Sequence, residues 1–299
     1  MKKGAIYVLM CYILWGVLPI FWKQLGGIDS FYILSLRIVW SLIFCGLILA
    51  SKGELHKIKE ALSDKKERNM LLISSIMVTI NWGVYIFAVM SGKVLESSIA
   101  YFINPIFAVV LGFFIYKEKL TKLQWLSVLI AFIGVMIPIV VYGTIPYFAL
   151  AIAVSFAFYG AAKKRVKADS VTSVFMETLY MAPIALAFIL FKEFTGTGYL
   201  TNVSTYQLIL FPIAGVVTSV PLLLFAKGMK NTSLTLSGIL MYINPTLQML
   251  VGVLLYNETF TNTNLVMFMF VLAAVIIFVA NNLIEAKNET NFTFQQSIL

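Results

Sequence analysis

Apolar residues occur in this chain in long blocks rather than in alternation, and the polar stretches between them are short. Blocks near 4–25, 30–50, 70–90, 95–116, 122–142, 145–163, 171–191, 204–226, 232–256 and 262–284 are each close to twenty residues or longer. A hydrocarbon core of ~30 Å takes roughly 20 residues of helix, so the pattern predicts an all-α integral membrane protein with ten transmembrane helices. Polar residues persist for any length only around 51–68, around 192–203 and over the tail 286–299. That leaves no soluble catalytic domain.

The block at 95–116 contains Ile103-Asn104-Pro105, and the same tripeptide returns 140 residues later as Ile243-Asn244-Pro245. Laid over each other without a gap, residues 103–121 and 243–261 agree at seven of nineteen positions: Ile103, Asn104, Pro105, Gly112, Tyr116, Glu118 and Thr121. Agreement among Leu, Val and Ile would mean little in apolar helices, but charged and polar residues are costly in a membrane. The chain therefore reads as a duplication, with one five-helix repeat at 1–143 and a second at 144–285. An odd number of helices per copy makes the second repeat enter the membrane inverted.

Charge gives a separate test. Of the 22 Lys and Arg, 18 fall on the side of the N-terminus, three (Lys23, Lys93 and Lys192) on the other, and Arg37 lies inside a helix. A bias of this size over short loops places both termini in the cytoplasm. Where the first copy closes with Lys117-Glu118-Lys119 and Lys122, the second has Asn257-Glu258-Thr259 and Asn262. Three cations become neutral, as an inverted copy requires. Topology thus accounts for the net charge of +9, and nucleic acid is not an expected partner.

No Walker-type phosphate loop, metal-ligand cluster or nucleophile–base pair is present, so neither a cofactor nor a metal is expected and the chain does not read as an enzyme. Cys11 and Cys45 sit in apolar blocks as ordinary core. His56, the one histidine, lies in a basic loop where solvation explains it.

The candidate chemistry is inside the helices. Ser97, Tyr101, Asn104, Ala108 and Gly112 share one helical face; Ser237, Met241, Asn244, Gln248 and Gly252 are their counterparts. Small and polar stripes face protein or water rather than lipid. Pro105 and Pro245 lack an N–H and free the carbonyls of Tyr101 and Met241, so both asparagines are expected beside one cavity near mid-membrane. Trp82, Tyr85 and Tyr159 are candidate solute contacts. Arg37 and Glu177 stand 140 residues apart with opposite charge, Glu96 is a candidate partner for Arg37, and Lys227 or Lys163 for Glu177. These three, Arg37, Glu96 and Glu177, are candidate gating or coupling groups, and a structural pair is as good a reading for them. Pro19 is expected to kink the first helix.

The strings Arg37-Ile38-Val39-Trp40-Ser41, Asn81-Trp82, Leu95-Glu96-Ser97-Ser98, Tyr101 to Pro105, Ser155 to Gly160, Val220-Pro221-Leu222-Leu223 and Tyr242 to Thr246, with Trp15-Gly16 and the glutamates Glu118 and Glu258, resemble the EamA family of the drug/metabolite transporter superfamily, in particular its RarD branch. The resemblance implies a plasma-membrane permease with a central cavity lined by helices such as 1, 3, 4, 6, 8 and 9. The expected function is secondary transport of a small organic metabolite or drug by alternating access. A non-transporting membrane receptor and a membrane-embedded enzyme are the alternatives. The expected partners are a small-molecule solute and the lipid bilayer, with a homodimer left open.

Overall fold

The computed structural model describes residues 3–90, 94–143, 147–256 and 261–296, with backbone only at 86, 89–90, 94–99, 283 and 285–296. Among the described residues every regular element is helical: α1 Lys3–Val17, α2 Pro19–Trp22, a 3-10 turn Lys23–Leu25, α3 Ser30–Ser51, α4 His56–Ser63, α5 Lys65–Met90, α6 Val94–Tyr116, α7 Lys122–Tyr142, α8 Tyr147–Arg165, α9 Ser170–Phe194, α10 Thr205–Met229, α11 Leu234–Leu240, α12 Ile243–Tyr256 and α13 Asn262–Gln296. Among the described residues, seven helical segments are long and apolar enough to cross a membrane: Lys3–Leu25, Ser30–Ser51, Lys122–Tyr142, Ser170–Phe194, Thr205–Met229, Leu234–Tyr256 and Asn262–Asn282. The described part Ala100–Tyr116 of α6 is apolar but shorter. α5 and α8 lie over the remaining predicted blocks, and clustered charges open the first and close the second.

The helix starts are set by capping residues that recur at the repeat offset. Asp29 accepts hydrogen bonds from the Phe31 and Tyr32 amides at the head of α3. Asp169 does the same for Val171 and Thr172 at the head of α9. Thr121 caps α7 through the Gln124 amide, and Thr261 caps α13 through that of Asn264. Each oxygen satisfies amide donors that a helix N-terminus otherwise leaves open.

Packing follows the same exchange. α3 packs on α9, α6 on α11 and α7 on α13; α1 lies on α10 as α5 lies on α8, and α1 on α12 as α6 on α8. Exchanging the two halves maps this set of pairs onto itself. Close approach depends on missing side chains: a Cβ at Gly238 on α11 would lie 2.8 Å from Ala108 Cβ on α6, and one at Gly228 on α10 would lie 2.8 Å from the Gly4 carbonyl on α1. Large apolar side chains stay on the outside. Leu47, Phe114, Val140, Ile184 and Leu254 are 65–72% exposed, which suits a hydrocarbon solvent and not water.

Two breaks depart from ideal helix. The first element stops at Val17 and restarts at Pro19, the position at which the missing N–H costs nothing. The second lies at Met241-Tyr242, between α11 and α12. Here the Met241 amide is shared between the carbonyls of Ser237 and Gly238, and the Asn244 amide bonds the Met241 carbonyl at 2.9 Å. The expectation that Pro245 leaves this carbonyl free is therefore corrected: a tightened turn takes it up. α6 passes through Pro105 as one element. The copies differ three residues before the break, Gly238 against Ser98, so that only the second copy carries a Ser-Gly pair ahead of its proline, and such pairs and prolines are where helices kink. The basic stretch expected as a loop carries the short helix α4, whose Ala61 is buried in a cluster with Leu71, Val166 and Met176.

Candidate functional site

A cavity of about 320 Å³ opens among the middles of several helices. Its wall comes from Trp15 on α1, Leu18, Pro19 and Trp22 at the first break, Ser30, Ile33, Leu34 and Arg37 on α3, Asn81, Trp82 and Tyr85 on α5, Tyr101 on α6, Phe156 on α8, Met241 at the second break, and Asn244 and Gln248 on α12. Both helix breaks border it. This is the setting in which irregular backbone is tolerated at membrane depth.

Arg37 lies on the wall. Its Nε donates to Thr218 Oγ1 at 2.9 Å, and its guanidinium carbon lies 4.6 Å from the ring centre of Trp22 and 4.8 Å from that of Trp82. No carboxylate pairs with it among the described residues. The side chain of Glu96, expected as its partner, lies outside the described residues, as does Glu258. Opposite, Gln248 Nε2 donates to Asn244 Oδ1 at 2.7 Å, and Asn81 Nδ2 donates to the Ile152 carbonyl at 2.8 Å. The Tyr85 and Tyr101 rings meet edge-on at 5.8 Å.

Trp82, Tyr85, Tyr101, Met241, Asn244 and Gln248, expected together from the sequence, are brought together here with Arg37. Two expected residues are elsewhere. Asn104 is not on this wall: its amide oxygen and nitrogen are both buried without a hydrogen-bond partner among the described residues. The repeat makes the two asparagines equivalent, but the break before Asn244 turns only that copy toward the cavity. Tyr159 is also off the wall, fully buried, with its ring stacked on Phe225 at 5.6 Å and its hydroxyl on Glu177; Phe156, about one turn earlier, faces the cavity instead. The helix roster is corrected too. The second predicted span, α3, supplies four wall residues, while the eighth, α10, supplies only the Thr218 contact to Arg37.

Glu177 belongs to a separate buried cluster. Lys163 Nζ lies 2.7 Å from its Oε1 and also donates to Ser173 Oγ at 2.7 Å. The Ser74 hydroxyl donates to the same carboxylate and Ser75 to the Glu177 carbonyl. Of the two cations expected for Glu177, Lys163 is the partner, while Lys227 lies over the Tyr7 ring. The roles of Ser74, Ser75 and Ser173 were missed by sequence reasoning. Their signal was present: hydroxyls inside apolar helices turn toward polar partners on neighbouring helices.

The end of the bundle nearest α11 is closed by Glu118. Its carboxylate accepts from the Leu234 and Thr235 amides at 2.7 and 2.9 Å, and Lys164 Nζ lies 3.1 Å away while also donating to the Thr232 carbonyl. Burial alone would raise this carboxyl, but the donors of Thr235, Leu234 and Lys164 bring it below the ordinary value. Lys230 adds a bond to the Lys167 carbonyl, and Glu67 accepts from the Lys167 and Ala168 amides.

The model of the EamA-like transporter family matches this sequence twice, at residues 2–140 and 144–280. The chain belongs to that family. An uncharacterized transporter of Bacillus subtilis, YojE, is 42% identical over 281 residues, covering 93% of each chain. Protein RarD of Escherichia coli is 31% identical over 278 residues, 93% of this chain and 94% of that one, and RarD of Salmonella typhi is 32% identical over a similar span. The family member is thus of the RarD type. A solved crystal structure that is only 14% identical superposes with a TM-score of 0.69 over 92% of this chain and 97% of its own, so the fold is shared. This EamA-family protein is a multi-pass membrane protein with transporters as its relatives.

Proposed function

We propose that this EamA-family protein is a secondary transporter, moving a small organic solute across the plasma membrane by alternating access of ten helices arranged as two inverted five-helix repeats, with both termini cytoplasmic. The observation that carries the reading is a cavity bordered by two helix breaks, with the basic end of the bundle held together by hydrogen bonds and an ion pair. Its wall reaches the Leu18–Ser30 region, between α1 and α3, whereas the basic end is held by Glu118, Lys164 and the α11 amides. On the topology read from the cations, that is an outward-facing arrangement. The capping residues and helix pairs that recur at the repeat offset support the duplication, and the odd number of predicted helices per copy with the loss of cations at the end of the second copy supports its inversion.

In this reading Arg37, Trp82, Tyr85, Tyr101, Met241, Asn244 and Gln248 contact the solute. The aromatic faces supply area at small entropic cost, and the amides and guanidinium fix orientation. The Lys163–Glu177 pair, walled off from the cavity, holds α8 to α9. A relative 26% identical over 262 residues is named for chloramphenicol sensitivity, which makes amphenicols the first solutes to try, with amino acids and related metabolites beside them as the range that the superfamily resemblance implies. The test is uptake by proteoliposomes of the purified protein, with and without a pH gradient. Saturable uptake of one solute class, lost when the cavity wall is altered, is expected; a folded protein that binds a solute without moving it would replace the transporter reading with that of a receptor.

A further inference from the structure

We infer that the solute carries a negative charge, and that Arg37 recognises it: the cavity is built for a small aromatic or otherwise flat organic anion. The inference deepens the transporter reading and rests on its assignment of the cavity as the solute site. It begins with the charges. None of the described acidic residues lines the cavity: Asp29 and Asp169 cap helices, Glu67 and Glu118 bind backbone amides, Glu177 is with Lys163, Glu193 accepts the Tyr32 hydroxyl, Glu54 and Asp64 pair with Lys57 and Lys167, and Glu60 is exposed. Arg37 has none of them.

The surroundings of Arg37 supply one neutral hydrogen bond, from Nε to Thr218, and two ring faces. No hydrogen bond to the protein is made by its two terminal nitrogens among the described residues. These nitrogens form the side of the guanidinium fork that matches a carboxylate or phosphate in bidentate fashion. A charge held at membrane depth without a counter-ion costs several kcal/mol, and an anionic solute would offset that cost on entry. The ring faces contribute twice. Trp22 and Trp82 place their ring centres 4.6 and 4.8 Å from the guanidinium carbon, and with Trp15, Tyr101 and Phe156 they offer apolar area to the body of the solute. Lys23, the residue after Trp22, adds positive potential beside the wall; it lies over the Tyr256 ring at 3.7 Å. The amides of Asn81, Asn244 and Gln248 can bond neutral polar groups but bring no charge. A volume of about 320 Å³ is at the small end of ligand sites, which run to roughly 1,000 Å³, so a compact molecule is expected.

The experiment uses three probes of nearly equal shape: 3-phenylpropanoate, its neutral primary amide and the cationic 3-phenylpropylamine. Binding to the purified full chain in detergent is read by quenching of tryptophan fluorescence, and uptake is read in proteoliposomes. The wild type is expected to bind the carboxylate roughly ten- to a hundredfold more tightly than the amide, the range of a charge-assisted pair, and the amine most weakly. Arg37→Gln is expected to erase the preference, so that this variant binds the carboxylate no more tightly than it binds the amide, and Arg37→Lys to keep part of it. Equal binding of the carboxylate and the amide by wild type, or a preference for the amine, overturns the inference and leaves the transporter reading standing; this arm needs no variant and survives a folding defect in Arg37→Gln. A preference retained in Arg37→Gln overturns the role of Arg37. Uptake of chloramphenicol or another neutral solute with none of any anion tried would likewise overturn the charge assignment alone, whereas failure of every probe, charged or neutral, to bind a folded chain overturns both.

Discussion

Asn104 and Asn244 hold the same place in a repeated tripeptide, yet their surroundings differ. Asn244 lines the cavity and is bonded by Gln248; Asn104 is buried and its amide has no partner among the described residues. Removing the first takes away a hydrogen-bonding group that a solute would meet, at a cost of about 1–1.5 kcal/mol. Asn244→Ala is therefore expected to raise the half-saturating solute concentration by roughly tenfold, while Asn104→Ala changes it less than twofold; concentration-dependent uptake decides, and the opposite ranking would move the site. A second residue-scale prediction concerns the buried Lys163–Glu177 pair. Breaking such a pair from one side leaves an unpaired charge and costs about 3–5 kcal/mol. Lys163→Met is expected to lower the unfolding midpoint sharply. Adding Glu177→Gln, which removes the charge but keeps an acceptor for Ser74 and Tyr159, is expected to recover part of the loss. Thermal unfolding in detergent compares the two, and a double variant less stable than Lys163→Met alone would deny that charge is the issue. At this scale the sequence displayed the ionisable and aromatic residues but not their neighbours. The 140-residue offset between Arg37 and Glu177 was visible, as was Lys163 as one of two candidate partners, but the choice of Lys163 over Lys227 and the part of Ser74 come only with the packing of α5, α8 and α9 around Glu177.

Helices were legible because a bilayer demands apolar blocks of a set length, and their starts because Asp, Ser and Thr cap them. The break at Met241-Tyr242 was not. The tripeptides are identical; what differs nearby is Gly238, where a Cβ would meet Ala108 and the Pro105 carbonyl of α6, a contact that only the packing reveals. Nor could sequence join Glu118 to the head of α11, a contact 116 residues apart in the chain. That contact has a calculable pH response. The Glu118 carboxyl lies below its ordinary value of 4.5 in the folded protein, so its contribution to stability is fully present above that value and is lost as pH falls through the lower folded value. Hydrogen exchange at the Leu234 and Thr235 amides is the direct measurement. Relative to the rest of α11 and after correction for intrinsic rates, their protection is expected to fall between pH 6 and pH 3, and in Glu118→Gln to be low and nearly independent of pH over that range. Constant protection in the wild type would show that the carboxylate does not hold the helix.

At the scale of the whole molecule, the helix pairs named above map onto themselves when the halves are exchanged, while the bonds of Glu118 belong to one end of the bundle. Glu118 makes charge-assisted bonds at the closed end, and α6 and α11 meet there across the boundary between repeats. If the molecule alternates between two closures, these bonds exist in one and not in the other, so they set the population ratio and not just the stability. Losing about 1.5–3 kcal/mol of charge-assisted bonding moves that ratio by roughly ten- to a hundredfold toward the other state. A pair of thiol reporters reads this. Cys11 and Cys45 are both buried and can be replaced by alanine; Ser30→Cys then reports on the cavity wall near the α1–α3 connection, and Thr232→Cys, at a position 4% exposed, on the closed end. A membrane-impermeant maleimide applied to either face of vesicles is expected to label the Ser30 position from outside and to leave the Thr232 position nearly untouched. Introducing Glu118→Gln is expected to slow labelling at the first and speed it at the second, from the cytoplasmic face. The reciprocity is the substance of the prediction: a loosened end raises labelling at Thr232 alone, whereas a transporter in which one end opens only as the other closes must change both, and in opposite directions.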